Sequence, residues 1–355
     1  MREASLDSDN YGIRVKLSDP NLDCLDPEIR NSGLVDAFRR QISYARSKVS
    51  YWDHKLSKAN VDESKIINLS DISKVPVLTK EEFRKIAPLG LLPKENLSKL
   101  LLNRWTSGTT GTPTVSCWTD TDWAGVVASV ARAIGRQSPI RHPIAFNAFS
   151  QGHVTGPLIG AGLRKIGAAV FDRGHQPEEV FSTATHIELF EFDTIVIPGK
   201  SVRGKAVGLD GLLDEDPTIL SRHGVRWWIG AAGTFERDTV DRAIDQGVES
   251  ISNFYGSSEF APFALSCSKH LADFHISQGH VLVEVVDQSG IQVGNGEFGR
   301  IVVTHLCGMD DNGDACVHGG TQIIRLAAGD GATYFNKPCD CGLTTPRLRG
   351  IQRVR

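Results

Sequence analysis

The chain has 355 residues, with 39 Lys and Arg against 42 Asp and Glu, for a formal net charge of −3. That balance argues against a dedicated nucleic-acid binder, which needs a basic excess to neutralise phosphates, and no apolar run reaches the eighteen or more residues of a membrane-spanning helix. The length allows a large core or two or three structural units, and Met1-Arg2-Glu3-Ala4-Ser5-Leu6-Asp7 lacks the apolar stretch of a secretion signal, so a cytoplasmic location is expected.

Residues 1–32 are polar, carry Pro20 and Pro27 and show no sustained period, which reads as a lead-in. Leu34, Phe38, Ile42, Ala45, Val49, Trp52 and Leu56 then recur at three- and four-residue steps, predicting one amphipathic helix of about six turns. Thr79-Lys80-Glu81-Glu82 opens a shorter helix, with Thr79 as cap and Glu82 three residues on. Beyond Arg104 strands and helices alternate. Residues 123–134 read as a helix after Thr-Asp-Thr-Asp; 169–171, 194–197 and 225–229 read as buried strands; 239–246 reads as a helix. Trp227-Trp228 is expected in the core. From Val281 the texture is antiparallel β, with turns at Gln288-Ser289-Gly290 and Gly294-Asn295-Gly296. The expected fold is therefore α/β: a core over 33–266, mostly parallel sheets flanked by helices, with an appended β-rich unit over 267–346.

Thr106-Ser107-Gly108-Thr109-Thr110-Gly111-Thr112-Pro113-Thr114 is the most informative stretch. Its glycines let the backbone turn sharply and bring N–H groups up to a ligand, while the hydroxyls add donors without fixed charge. Together they suit a polyphosphate, although the Gly-Lys-Ser/Thr ending of the common P-loop is absent. Isolated, such a cluster would be a polar surface turn; nine residues in this order point to a ligand.

The same residues resemble the phosphate-binding signature of the adenylate-forming (acyl-CoA synthetase) superfamily, in its phenylacetate–CoA ligase-like branch, with Thr112 where that family often has Lys. Val75-Pro76-Val77-Leu78-Thr79-Lys80-Glu81-Glu82 resembles the branch's leader segment. Asn253-Phe254-Tyr255-Gly256-Ser257-Ser258-Glu259 resembles its Tyr-Gly-x-x-Glu element, and Arg325-Leu326-Ala327-Ala328-Gly329-Asp330 the element that holds ribose. The resemblance implies that Ser107 to Thr112 bind the β- and γ-phosphates, with Thr109 and Glu259 in catalytic roles. It implies that Tyr255, Gly256 and Ser258, with Ala232 and Gly233 of the Gly230 to Thr234 turn, line the nucleotide. Glu259 would bind Mg²⁺, for which a hard carboxylate oxygen is suited. Asp330 would take the ribose hydroxyls. Phe149, His153 and Phe260 fall where the family lines its acid pocket.

Seven cysteines in a chain of this kind are poorly explained by disulfides. Cys24, Cys117, Cys307 and Cys316 read as small hydrophobes. Cys339 and Cys341, with Cys267 and either His270 or His275, could complete a closed tetrahedral zinc site of the structural kind. The resemblance implies His275, just before a β segment.

Residues 347–355 fall where the family's hinge begins, with Arg353 at the hinge arginine and Gln352 where Gly is usual. The family's C-terminal domain, which supplies a lysine, is expected beyond that point from a longer chain or a second chain, or to be dispensed with. The expected activity is ATP- and Mg²⁺-dependent activation of a small carboxylic acid as an acyl-adenylate, with transfer to CoA, an amine or a carrier thiol. An amide- or N–N-bond-forming ligase and a nucleotide-binding pseudoenzyme or partner subunit are the alternatives. A homodimer or a separate C-terminal-domain partner is expected; nucleic acid and membrane are not.

Overall fold

Asp26 caps the first helix, its carboxylate accepting from the Glu28 N–H at 2.8 Å, and Pro27 occupies the first helical position of α1 (Pro27–Lys48). In the computed structural model, the residues described are 16–105, 115–151, 154–173, 183–201, 207–231 and 235–354. Helix therefore begins inside the expected lead-in. The single helix expected from Leu34 onward is two: Val49 is extended (φ −131°, ψ 108°), and α2 (Ser50–Lys58) resumes after it. Phe38, Ile42, Ala45, Trp52 and Leu56 are all buried, so the apolar stripe continues across the break and conceals it. α3 (Lys80–Ile86) starts as expected, with the Thr79–Glu82 capping box formed in both directions.

A short hairpin of β1 (Leu100–Trp105) and β2 (Val115–Thr119) leads into α4 (Asp120–Gly135), which Thr119 and Asp122 cap reciprocally. Next come β3 (Ile144–Asn147), α5 (Thr155–Lys165), β4 (Ala169–Asp172), α6 (Thr183–Glu188) and β5 (Thr194–Val196). Then follow α7 (Leu209–Glu215), α8 (Ile219–Arg222), β6 (Trp227–Ala231), α9 (Arg237–Asp245) and β7 (Ser250–Ser257). Strands β3 to β7 pair in parallel in the order β4-β3-β5-β6-β7. The strand over 169–172, expected to be buried, is instead the sheet's edge, and Phe171 is 44% exposed. Trp227 and Trp228 are fully buried, with Nε1 atoms donating to Ser252 Oγ and the Ile197 carbonyl, each at 3.0 Å.

The β-rich remainder comprises β8 (Ala261–Ser266), β9 (Asp273–Ile276), β10 (Val281–Val286) and β11 (Phe298–His305), then β12 (Cys307–Met309), β13 (Ala315–Val317), β14 (Leu326–Phe335) and β15 (Arg347–Arg353). Apart from the β12–β13 hairpin, these strands continue the parallel sheet into one of eleven strands among the described residues, joined through the antiparallel β7–β8 pair. β7 is thus the strand at which the sheet changes from parallel to antiparallel.

Candidate active site

Ligands in open α/β sheets sit outside the carboxyl ends of the parallel strands. The Tyr255 to Glu259 element lies at that end of β7, in the turn to β8. Backbone packing there is tight: a Cβ on Gly256 would lie 2.3 Å from the Ala261 carbonyl oxygen, so only glycine fits without a shift.

Three of the expected residues converge. The Tyr255 hydroxyl donates to Asp330 Oδ2 at 2.9 Å, and Arg353 Nη1 stands 3.2 Å from Asp330 Oδ1. The β14–β15 register places Asp330 directly opposite Arg353. Burial, reinforced by the Asp330 charge and this hydrogen bond, pushes the Tyr255 phenol far above its usual value. Tyr255 is therefore a neutral donor, and Asp330 presents a carboxylate fixed between a phenol and a guanidinium.

Glu259 is 3% exposed. Its carbonyl accepts from Ser116 Oγ at 3.0 Å and lies 3.1 Å from His305 Nε2, so β2 and β11 both hold the turn. Its Oε1 faces Lys80 Nζ at 3.1 Å, yet makes no aligned hydrogen bond among the described residues. A buried carboxylate oxygen without an aligned donor is a suitable ligand for a hard cation. Lys80 is brought there by the leader. The Leu78 N–H donates to the Arg325 carbonyl at 2.8 Å, and the Ala327 N–H donates back to Leu78 at 2.9 Å. Arg325, buried and bidentate to Glu284 at 2.9 Å, also donates to the Val75 carbonyl.

Lys80, Ser116 and His305 were not expected from the sequence; only the leader motif around Lys80 offered a signal. Phe149 is half-buried, beside the core formed by α4, α5 and the parallel strands. Phe260 is 1% exposed and packs edge-on against Phe263 and His305. Ser258 lies in the turn before Glu259. Ser107, Gly108, Thr109, Thr110, Gly111, Thr112, His153, Ala232 and Gly233 lie outside the described residues.

A second cluster brings together Cys267, His275, Cys339 and Cys341, with ligand atoms all within 4.8 Å of one another. Cys267 and Cys339 Sγ are 3.8 Å apart, the edge of a tetrahedron with metal–sulfur bonds of about 2.3 Å. His275 Nε2 faces Cys341 Sγ at 3.3 Å, while Nδ1 faces the Thr345 hydroxyl at 3.1 Å and carbonyl at 3.3 Å. This places the proton on Nδ1 and the Nε2 lone pair toward the thiols, the orientation a ligating imidazole takes. Burial lowers the His275 pKa to about 4 and raises Cys341 to about 12. A dication reverses the second effect by favouring thiolates. Of the two candidate histidines, His275 joins the cluster; His270 is exposed and pairs with Asp340 Oδ1 at 2.9 Å.

No family model matches the chain. A phenylacetate–coenzyme A ligase of Thermus thermophilus is 25% identical over 351 residues, covering 94% of this chain and 72% of that protein. The phenylacetate–coenzyme A ligase of Escherichia coli is 28% identical over 280 residues, 75% of this chain and 60% of that protein. Among solved structures, 2-hydroxyisobutyryl-CoA ligase in the postadenylation state with 2-HIB-AMP superposes with a TM-score of 0.79 at 18% identity, over 97% of this chain and 70% of that one. The same ligase with R3-HIB-AMP gives 0.80 at 19% identity, over 98% and 71%. These likenesses establish the fold as that of the adenylate-forming CoA ligases.

Proposed function

We propose, from the premise that the chain is an adenylate-forming protein of the phenylacetate–CoA ligase-like branch, that it activates a small carboxylic acid with ATP and passes the acyl group to coenzyme A. The convergence of Tyr255, Asp330 and Arg353, with the buried Glu259 carboxylate, at the end of β7 where the sheet turns from parallel to antiparallel carries this reading. Relatives named as CoA ligases support the acid and the thiol acceptor.

In the first half-reaction a carboxylate oxygen attacks the α-phosphorus, and the bond to pyrophosphate breaks. In the second, the CoA sulfur attacks the acyl carbon and gives up its proton, and AMP leaves with the former carboxylate oxygen. Asp330 would accept from the ribose hydroxyls, oriented by the Tyr255 hydroxyl. Glu259 would hold Mg²⁺, which supplies charge neutralisation at the phosphates. Residues 107–112 would supply donors to the β- and γ-phosphates. Catalysis of this kind rests on positioning and preorganised charge. Cys267, His275, Cys339 and Cys341 would hold a structural zinc ion tying β8, β9 and the β14–β15 connection together.

The test is pyrophosphate release with ATP and Mg²⁺ across acids that include phenylacetate and 2-hydroxyisobutyrate. The reading requires release that depends on one of these acids or a close analogue. ATP binding without acid-dependent release across a broad acid panel would contradict it.

A further inference from the structure

Three arginines are buried among the described residues: Arg30, Arg132 and Arg325. Arg132 and Arg325 each face a carboxylate at 2.9 Å, Asp23 and Glu284 respectively. Arg30 does not. Among the described residues, its Nη1 donates to the Thr344 carbonyl at 2.5 Å, Nη2 has only a 3.4 Å contact with the Asn31 side chain, and Nε has no hydrogen-bond partner. This guanidinium, 6% exposed, has no carboxylate in ion-pair contact among the described residues, and the Asp26 and Asp23 charges act from farther off. Such burial is costly, because it forfeits hydration that distant charges replace only in part.

Arg30 lines a cavity of about 270 Å³ between α1, the 69–74 turn and strands β10 and β14. The half-buried Tyr334 lines the same cavity. Burial lowers the Arg30 pKa and raises that of Tyr334. Leu34, Ile72 and Val283 supply apolar wall. Glu284 also lines it, but both its oxygens are taken by Arg325 at 2.9 Å.

We propose that this cavity is a binding site for a small organic anion, a monocarboxylate with a short apolar body, held by the Arg30 guanidinium and the Tyr334 hydroxyl. One cation and one neutral donor match the two oxygens of a carboxylate. A phosphate dianion would need more donors than one guanidinium and one phenol supply. The volume lies at the small end of ligand pockets, which fits an acid of a few carbons. This site shares no lining residue with the Glu259 centre; only the control on pyrophosphate release rests on the function proposed for that centre, and the affinity comparison between parent and variants does not.

The experiment is calorimetric titration of the full chain with hexanoate, with 1-hexanol and with inorganic phosphate, at constant ionic strength. Hexanoate should bind at least tenfold more tightly than either other probe. Arg30→Gln should weaken hexanoate at least tenfold and Tyr334→Phe several-fold, while both variants keep the parent's acid-dependent pyrophosphate release, which places the loss away from the activation site. Unchanged hexanoate affinity in the variants, or hexanol or phosphate binding that the Arg30→Gln change weakens as much as hexanoate binding, would overturn the proposal. If Arg30→Gln does not fold, Tyr334→Phe decides it by the same criterion.

Discussion

Lys80 Nζ stands 3.1 Å from Glu259 Oε1, joining the first turn of α3 to the turn that ends β7. The lysine thus stands beside the carboxylate proposed to hold Mg²⁺, for which the two cations would compete. Lys80→Met should lower the Mg²⁺ concentration needed for half-maximal nucleotide binding, and should enlarge the melting-temperature gain on adding Mg²⁺ and ATP. Removing the counter-ion of a buried carboxylate costs about 3 kcal/mol, which a metal can restore. Thermal denaturation with and without Mg²⁺ checks both signs. Glu259→Gln should reduce adenylation on the order of 10²-fold.

The Tyr255–Asp330 hydrogen bond predicts a division of effects. Asp330→Asn weakens the acceptor for the ribose and should raise KM for ATP on the order of tenfold, the worth of a charge-assisted hydrogen bond. Tyr255→Phe keeps the carboxylate and loses only its orienting donor, so the rise should be smaller. Steady-state kinetics with ATP varied at saturating acid would separate the two.

At the cysteine cluster the geometry selects the histidine. Metal analysis of protein purified without chelator should find one zinc per chain, and His275→Ala should lose it while His270→Ala keeps it. Cys341→Ser should cost about 4 kcal/mol, in the range reserved for lost metal sites. A chain without zinc that is as stable as the parent would refute the assignment.

Asp23 gives an acid-stability prediction. Burial alone would raise its pKa, but Arg132, Arg136 and a hydrogen bond from the Gln278 N–H outweigh burial and hold it below 3.8. A carboxylate with a lowered folded pKa contributes stability above its unfolded pKa of about 3.9 and loses it as pH falls through the folded value. Asp23→Asn should therefore be about 3–5 kcal/mol less stable at pH 7, because Arg132 is left buried and unpaired. The difference should shrink below about pH 4. Urea unfolding at pH 7 and pH 3 measures it.

What the sequence made legible were features with a local cause. The Thr79–Glu82 box, the Thr-Asp-Thr-Asp start of α4 and the Cys-x-Cys pair each declare themselves within a few residues. The break at Val49 stayed hidden because Phe38, Ile42, Trp52 and Leu56 keep their stripe across it. β4 lies at the sheet edge although its apolar run suggests burial, because such a run does not say whether a strand is flanked on one side or two. Lys80 and His305 meet Glu259 only through the Leu78–Leu326 bridge and the β11 strand, pairings that no local pattern encodes. Residue types and spacing alone leave His270 and His275 open; the resemblance implies His275, and the structure groups His275 with the three cysteines.

The most direct measurement of acid activation is isotopic. With an accepted acid carrying ¹⁸O in its carboxylate, turnover with ATP, Mg²⁺ and coenzyme A should deliver one ¹⁸O atom into each AMP formed, detected by mass spectrometry. AMP formed without the label would contradict activation through an acyl-adenylate, as would label appearing in inorganic phosphate alongside ADP.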